Sequence, residues 1–145
     1  MTRNFNIFAT DLSTQALRTA RQAVYSNVLG ASIPFGLRQE YTLTGHGSQT
    51  GRFRIVPELR TRVTFDQVNL IASGWNIPGA MDIVFCRNVM IYFDRPTQGK
   101  VLNEMVRHLP AEGYLFLGHS ENICYREFPF VPLGATVYTL KPKSH

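Results

Sequence analysis

An α/β fold built around a parallel sheet is what this sequence predicts, and residues 81–122 give the strongest signal. The apolar run at 82–86, rich in β-branched and aromatic residues, is typical of a strand buried on both faces. Asp94 and Pro96 then mark the start of a helix whose apolar residues recur at helical spacing. A second apolar run follows at 114–118, so strand, helix and strand form a βαβ unit.

A strand and a helix are also predicted at the beginning of the chain. Residues 5–10 have a strand-like pattern, and Asp11 stands at the carboxyl end of that strand. Ser13 or Thr14 can cap the helix that follows. A carboxylate at the tip of a parallel strand can accept hydrogen bonds from both hydroxyl groups of a ribose, but it can equally begin the turn into the helix. The residues alone leave both interpretations open.

The middle of the chain predicts a β-hairpin. Strand-like segments at 41–44 and 52–56 flank a loop that contains Gly45, Gly47 and Gly51. A glycine-rich loop can bind phosphate, but the segment after this loop alternates like a strand and does not begin a helix. Phosphate binding is therefore disfavoured.

Four arginines form a candidate docking surface. A further strand is predicted at 60–65, so Arg52 and Arg54 share one strand face and Arg60 and Arg62 share another. We call these four residues the arginine ribbon. It is either an exposed face kept soluble by charge or a basic surface for a partner. The net charge of +5 favours an acidic partner, whether protein, nucleic acid or membrane surface.

Composition and cysteine usage exclude several classes of protein. A chain of 145 residues suits one domain. No apolar run approaches the roughly 20 residues that span a bilayer, and no export signal is present. Cys86 and Cys124 lack metal-ligand spacing, so no metal site is predicted. Two thiols without an export signal predict a cytoplasmic protein.

Two strings within residues 81–122, FCRNVMIYFD and GYLFLGHSEN, resemble the CheR family of chemotaxis receptor glutamate methyltransferases. The resemblance covers residues 5–140, which correspond to the latter half of a typical member. It implies an enzyme of chemotactic signal transduction that uses S-adenosylmethionine to methylate glutamate side chains on the cytoplasmic region of chemoreceptors. The fold that it implies is a Rossmann-like class I methyltransferase sheet.

The resemblance also implies which residues contact the cofactor. The implied set is Asp11 at the ribose, Asn69 and Leu70 at the adenine, and Arg87 and Asn88 beside the cofactor. Without the resemblance, an Asn after a strand is usually a turn former.

Catalysis is predicted to depend on Tyr92. The resemblance places it near the transferred methyl group and the substrate carboxylate, although packing at the helix entry explains it equally well. Methyl transfer from a sulfonium to a carboxylate needs alignment and exclusion of water more than an acid–base pair. His119 and Cys86 each lie in or beside a predicted buried strand, so both are predicted to be structural.

Residues 26–62 are predicted to form a small antiparallel β-subdomain inserted into a methyltransferase domain that comprises residues 1–145. In the family, this insertion can bind the C-terminal peptide of certain receptors as an added strand. The spacing of Gly45, Gly47 and Gly51 resembles the form that is competent for this docking. A rival hypothesis is a non-catalytic module that docks an acidic receptor peptide through the arginine ribbon. Nucleic-acid binding is disfavoured because no recognition motif accompanies the charge.

One strand of the family's sheet is expected to be missing. The class has strand order 3-2-1-4-5-7-6, and the first strand, with its cofactor loop, has no counterpart here. It would lie between the strands predicted at 5–10 and 82–86, so each should have an unpaired edge. We therefore expect the chain to self-associate or borrow a strand, to bind S-adenosylmethionine weakly if at all, and to be inactive alone.

Overall fold

The computed structural model describes residues 4–118 and 127–141. They belong to two compact units, Met1–Asn69 and Leu70–His145. Both units combine helices with strands, and both contain a parallel strand pair, which confirms the α/β class.

The first unit contains a parallel pair and an antiparallel sheet. Its elements are β1 (Ile7–Asp11), α1 (Thr14–Gln22), β2 (Val24–Ser26), α2 (Phe35–Tyr41), β3 (Thr42–Thr44), β4 (Arg52–Ile55), α3 (Pro57–Arg60) and β5 (Val63–Gln67). β1 and β5 pair in parallel, with Ile7 opposite Val63 and Asp11 opposite Gln67. The predicted strand at 5–10 is thus confirmed, shifted slightly along the chain.

Helix α1 begins as predicted. The Ser13 hydroxyl accepts a hydrogen bond of 3.2 Å from the Ala16 backbone N–H, so Ser13 is the N-cap. Leu17 is buried on the inner face of the helix. The Arg21 guanidinium donates to the Phe65 carbonyl at 2.8 Å, which ties the helix to the strand pair.

The antiparallel sheet has the order β2–β4–β3, with β4 in the centre. The hairpin of β3 and β4 was predicted, and the register places Thr42 opposite Ile55. Strand β2 was not predicted. Phe53 forms the core of this sheet, because it is buried and its ring lies 5.8 Å from that of Tyr25.

The strand predicted at 60–65 is wrong in its first residues. Pro57 begins helix α3, where its fixed backbone angle suits the first helical turn. The strand begins at Val63 and pairs in parallel with β1, not with the antiparallel hairpin. Arg60 therefore lies in a helix and Arg62 in the turn after it, and neither is on a strand face.

The second unit contains one mixed sheet with the order β6–β7–β9–β8. Its elements are β6 (Ile83–Cys86), α4 (Arg95–His108), β7 (Tyr114–Leu117), β8 (Phe130–Pro132) and β9 (Val137–Leu140). β6 and β7 are parallel and α4 lies between them in sequence, which confirms the predicted βαβ unit. β9 is antiparallel to both β7 and β8.

The core of the second unit forms where α4 faces the sheet. Val101, Leu102 and Met105 are almost completely buried on the helix, as are Leu115 and Leu117 on β7. They belong to one hydrophobic cluster. This burial fixes α4, and with it the position of the turn that precedes the helix.

One edge of β1 and one edge of β6 are unpaired among the described residues, because each strand has a single neighbour there. Ile7 on β1 is 47% exposed, and Ile83 and Phe85 on β6 are 52% and 68% exposed. Open edges on these two strands agree with the expectation from the sequence. Among the described helices, none is both long enough and apolar enough to cross a membrane.

Candidate cofactor and receptor sites

Asp11 and Asn69 lie at the same edge of the first unit's parallel pair. Asp11 ends β1, and Asn69 is the second residue after β5. The Val68 N–H donates to the Asp11 carbonyl at 3.3 Å, which holds the two strand ends together. The carboxyl edge of parallel strands is where α/β folds place ligand contacts.

Both interpretations of Asp11 are compatible with its geometry. Its Oδ1 accepts a hydrogen bond of 2.7 Å from the Ser13 N–H, so this oxygen begins the turn into α1. The residue is also exposed, as a ribose ligand must be. Gln67, which sequence reasoning missed, donates to the Leu12 carbonyl at 2.9 Å and fixes the same turn. The turn can therefore present a carboxylate to a ribose.

Arg87 and Asn88 follow the carboxyl end of β6 and are exposed. Asn88 has a φ of 59°, in the left-handed region, which Asn tolerates better than most residues. Such conformations cluster at functional sites, where the surroundings hold them in place. The backbone supports a ligand-binding role for this turn.

Leu70 is the first residue of the second unit. It is partly buried and packs against the hydrophobic cluster. Its carbonyl accepts a hydrogen bond of 3.3 Å from the Trp75 indole N–H. Trp75 was predicted only as part of a loop, and a contact across five residues leaves no periodic signal in a sequence.

Tyr92 ends a short 3₁₀ turn, Met90–Tyr92, between β6 and α4. Met90 is completely buried, whereas Tyr92 is 79% exposed. Packing at the helix entry is thus carried out by Met90, and the alternative explanation of Tyr92 as a packing residue is wrong. The Gln98 amide donates to the Met90 carbonyl at 3.0 Å and the Phe93 carbonyl at 3.1 Å. Gln98, also missed from sequence, fixes the turn that presents Tyr92.

Each unit thus supplies its own part of the predicted site. Asp11 and Asn69 lie in the first unit, and Leu70, Arg87, Asn88 and Tyr92 lie in the second. Their convergence on one ligand stays a prediction. His119 and Cys124 lie outside the described residues. Within residues 4–118 and 127–141, no cluster of His, Cys, Asp or Glu could hold a metal ion.

The glycine-rich loop is built so that glycine is required at three positions. A Cβ on Gly45 would lie 2.2 Å from the Gln49 carbonyl oxygen. Gly47 and Gly51 have φ values of 59° and 83°, which L-residues with a side chain rarely adopt. The Gly45 N–H donates to the Arg52 carbonyl at 2.9 Å and closes the hairpin. These contacts fix the loop that joins β4 to β3, an edge strand of the sheet.

The prediction of an exposed arginine ribbon holds for two of its four residues. Arg52 and Arg54 are exposed on β4, and the Arg54 Nε donates to the Gln22 carbonyl at 3.1 Å. Arg60 and Arg62 are partly buried and are not on the antiparallel sheet. Arg62 donates to the Asn4 side chain and lies 5.9 Å from the centroid of the Phe5 ring. We therefore keep Arg52 and Arg54 as the basic face of the sheet.

The geometry defines a class: an α/β chain whose exposed polar residues follow the carboxyl ends of parallel strands, as in domains that bind nucleotide-like ligands. Residues 1–139 match the family described as CheR methyltransferase, SAM binding domain. The chain belongs to this family, which confirms the resemblance and identifies S-adenosylmethionine as the methyl donor of the family.

Comparison with curated proteins agrees with the family. The chain is 44% identical to chemotaxis protein methyltransferase 2 of Pseudomonas aeruginosa over 133 residues, which are 92% of this chain and 48% of that protein. It is 43% identical to the chemotaxis protein methyltransferase of Klebsiella aerogenes, covering 92% of this chain and 46% of that protein. The corresponding values for the Escherichia coli protein are 40%, 94% and 48%. The chain thus spans about half the length of these relatives.

Proposed function

We propose that this chain is the S-adenosylmethionine-binding and catalytic part of a protein-glutamate O-methyltransferase that acts on the cytoplasmic region of chemoreceptors. The turn after β6 carries the proposal. It combines exposed Arg87, Asn88 in the left-handed conformation and exposed Tyr92 within six residues of a family-specific string.

Strand order supports a Rossmann-like class I methyltransferase sheet. In the first unit, β5 and β1 have the order of strands 3 and 2 of that class. In the second unit, β6–β7–β9–β8 has the order of strands 4, 5, 7 and 6. Both agreements arise from hydrogen-bonded pairs and are independent of each other.

Five residues would hold the cofactor. The Asp11 carboxylate would accept the ribose hydroxyls, Asn69 and Leu70 would contact the adenine, and Arg87 and Asn88 would line the remainder. When bound, S-adenosylmethionine supplies a methyl group on a positively charged sulfur. Because the attacking carboxylate is negative, opposite charges partly cancel during transfer, and the residues of the site contribute alignment and exclusion of water.

The Tyr92 hydroxyl would position the substrate glutamate. A phenolic O–H can donate to one carboxylate oxygen and leave the other free to attack. The exposure of Tyr92 supports this role, since a glutamate side chain on a large receptor must reach it from solvent.

Calorimetry with S-adenosylmethionine tests the cofactor site. We expect Asp11→Ala to weaken binding about ten- to hundredfold, the usual effect of losing hydrogen bonds to a charged group. Asp82→Ala is the matched control, because Asp82 is also exposed but precedes β6 at its amino end. Equal dissociation constants for the two variants would show that Asp11 does not contact the cofactor.

Methyl transfer to a receptor cytoplasmic fragment tests catalysis. We expect at most slow transfer of a radiolabelled methyl group by this chain alone. Tyr92→Phe should slow that transfer further while leaving the dissociation constant for S-adenosylmethionine unchanged. Transfer at the wild-type rate would show that the hydroxyl has no part in positioning the glutamate.

A second function, docking of an acidic receptor peptide without catalysis, is favoured by one observation: exposed Arg52 and Arg54 lie on a sheet whose edge strand β3 is unpaired on one side among the described residues. Arg52→Ala/Arg54→Ala should weaken peptide binding and reduce its salt dependence. Arg60→Ala/Arg62→Ala is the matched control. If that control weakens binding equally, the peptide does not use the antiparallel sheet.

Self-association is part of the proposal. The edges of β1 and β6 that are unpaired within residues 4–118 and 127–141 can each accept a strand from a second copy or from another chain. The exposed side chains of Ile7, Ile83 and Phe85 would then be covered.

A further inference from the structure

The irregular segment between β5 and β6 is held by the last residue of α4, His108. The His108 carbonyl accepts a hydrogen bond of 2.7 Å from the Met81 N–H. Its Nδ1 lies 3.4 Å from the Gly79 carbonyl oxygen. Its ring stacks on Trp75, with centroids 6.2 Å apart and planes at 6°. One residue therefore contacts this segment at three points.

Trp75 in turn restrains Leu70. The indole N–H donates to the Leu70 carbonyl at 3.3 Å, and both side chains pack against the hydrophobic cluster of the second unit. The indole thus has one face on His108 and its polar edge on Leu70. No helix or strand lies between Gln67 and Ile83, so regular backbone pairing does not fix Leu70.

We propose that Trp75 and His108 are positioning residues for the cofactor site. This inference rests on the proposed function, in which Asn69 and Leu70 contact the adenine. Adenine stacks on a side chain and bonds to backbone groups only where both are fixed, since ordering a loop during binding reduces affinity. We call the pair Trp75 and His108 the clamp. It orders this loop before the ligand arrives, and α4 anchors it because one face of the helix is buried in the core.

Three variants separate the parts of the clamp, and a fourth is their control. Trp75→Phe keeps an aromatic ring on His108 but removes the N–H donor. His108→Phe keeps the stack but loses the contact with Gly79, and His108→Ala loses both. Asn103→Ala is the control, because Asn103 is exposed on the same helix.

Calorimetry with S-adenosylmethionine measures the effect at a temperature where every variant is folded. Trp75→Phe should bind about fivefold more weakly, as expected for one lost hydrogen bond. His108→Ala should bind about tenfold more weakly, and His108→Phe should recover part of that loss. Asn103→Ala should bind like the wild type. A merely structural role would lower the melting temperature and leave these dissociation constants unchanged.

Tryptophan emission gives a second readout, because Trp75 is the single tryptophan of the chain. The emission of His108→Ala should differ from wild type without ligand, and its response to S-adenosylmethionine should be smaller. If the wild type binds and all four variants match it, the clamp has no positioning role and the proposed function stands. If the wild type gives neither heat nor an emission change at millimolar ligand, the proposed binding of the cofactor by this chain is overturned, and the inference falls with it.

Discussion

At the scale of the residue, two exposed side chains of the candidate site, those of Asp11 and Tyr92, are each carried by a turn that a glutamine fixes. Gln98 holds the turn of Tyr92 by donating to two carbonyls. Gln67 holds the turn of Asp11 by donating to Leu12. Functional side chains keep their geometry when neighbouring hydrogen bonds lock their backbone. The glutamines are therefore part of the site although they need not touch a ligand.

Leu102 tests the packing that anchors α4. It is 1% exposed, so Leu102→Ala leaves a cavity between the helix and the sheet. We expect the free energy of unfolding to fall by about 2–5 kcal/mol. Urea denaturation followed by circular dichroism measures it. Asn103→Ala, at the exposed neighbouring position, should change it by less than about 0.5 kcal/mol. A loss as small for Leu102→Ala would mean that the core does not form as described.

Two glycines should respond to alanine with opposite signs. Gly45→Ala places a Cβ 2.2 Å from the Gln49 carbonyl oxygen, so the hairpin must shift. The expected loss is about 1–3 kcal/mol. Gly36 lies in α2 with no atom within 4 Å of its Cβ position, so Gly36→Ala should stabilise by roughly 0.5–1 kcal/mol. Thermal unfolding compares the two. A harmless Gly45→Ala would contradict the loop geometry.

At the scale of the element, long periodic segments were predictable and short ones were not. The pattern of 81–118 identified β6, α4 and β7, because burial on a fixed period leaves a signal in sequence. Strand β2 has three residues and exists through its pairing with β4. The strand predicted at 60–65 was wrong in its first residues because the alternating arginines suggested a strand. Pro57 instead begins a helix, a role that depends on the conformation of the preceding residue. The exposure of Tyr92 could not be predicted, because the sequence pattern does not show that Met90, and not Tyr92, is the buried residue of this turn.

The cap of α4 makes a prediction about pH. The Thr97 hydroxyl and N–H donate to the Asp94 carboxylate, and with a smaller contribution from the Lys100 charge they lower the pKa of Asp94 below its ordinary value of 3.8. The charged form is therefore favoured in the folded state, so the stabilisation is present above pH 3.8 and is lost as the pH falls below it.

Asp94→Ala should lower the melting temperature at neutral pH, and its difference from wild type should shrink as the pH falls below 3.8. Asp94→Asn is the control, because an Asn also caps a helix but carries no charge. Its melting temperature at neutral pH should lie between those of wild type and Asp94→Ala, because the cap is kept and the charge is lost. A difference for Asp94→Ala that is constant from pH 7 to pH 3 would show that the charge does not contribute.

At the scale of the whole molecule, each unit has a parallel strand with one unpaired edge among the described residues, on β1 and on β6. Apolar side chains on these strands, such as Ile7 and Phe85, are partly or largely exposed. A strand edge of this kind invites pairing with another chain. The unpaired edges on β1 and β6 were expected from the family's strand order. Amino-acid composition could not have indicated them.

Self-association through β6 is the final prediction. We expect the purified chain to sediment as a dimer or larger species at micromolar concentration, because pairing satisfies the edge N–H and C=O groups and covers Ile83, which is 52% exposed. Ile83→Lys should shift the distribution towards monomer, since a lysine on an edge strand opposes pairing. Leu133→Lys is the matched control: Leu133 is 57% exposed but follows β8, at the opposite end of the sheet from β6, and this variant should associate like wild type. Sedimentation velocity separates the species, and circular dichroism checks that both variants are folded. A monomeric wild type would show that the edge of β6 needs no partner, and equal association of both variants would move the contact to another surface.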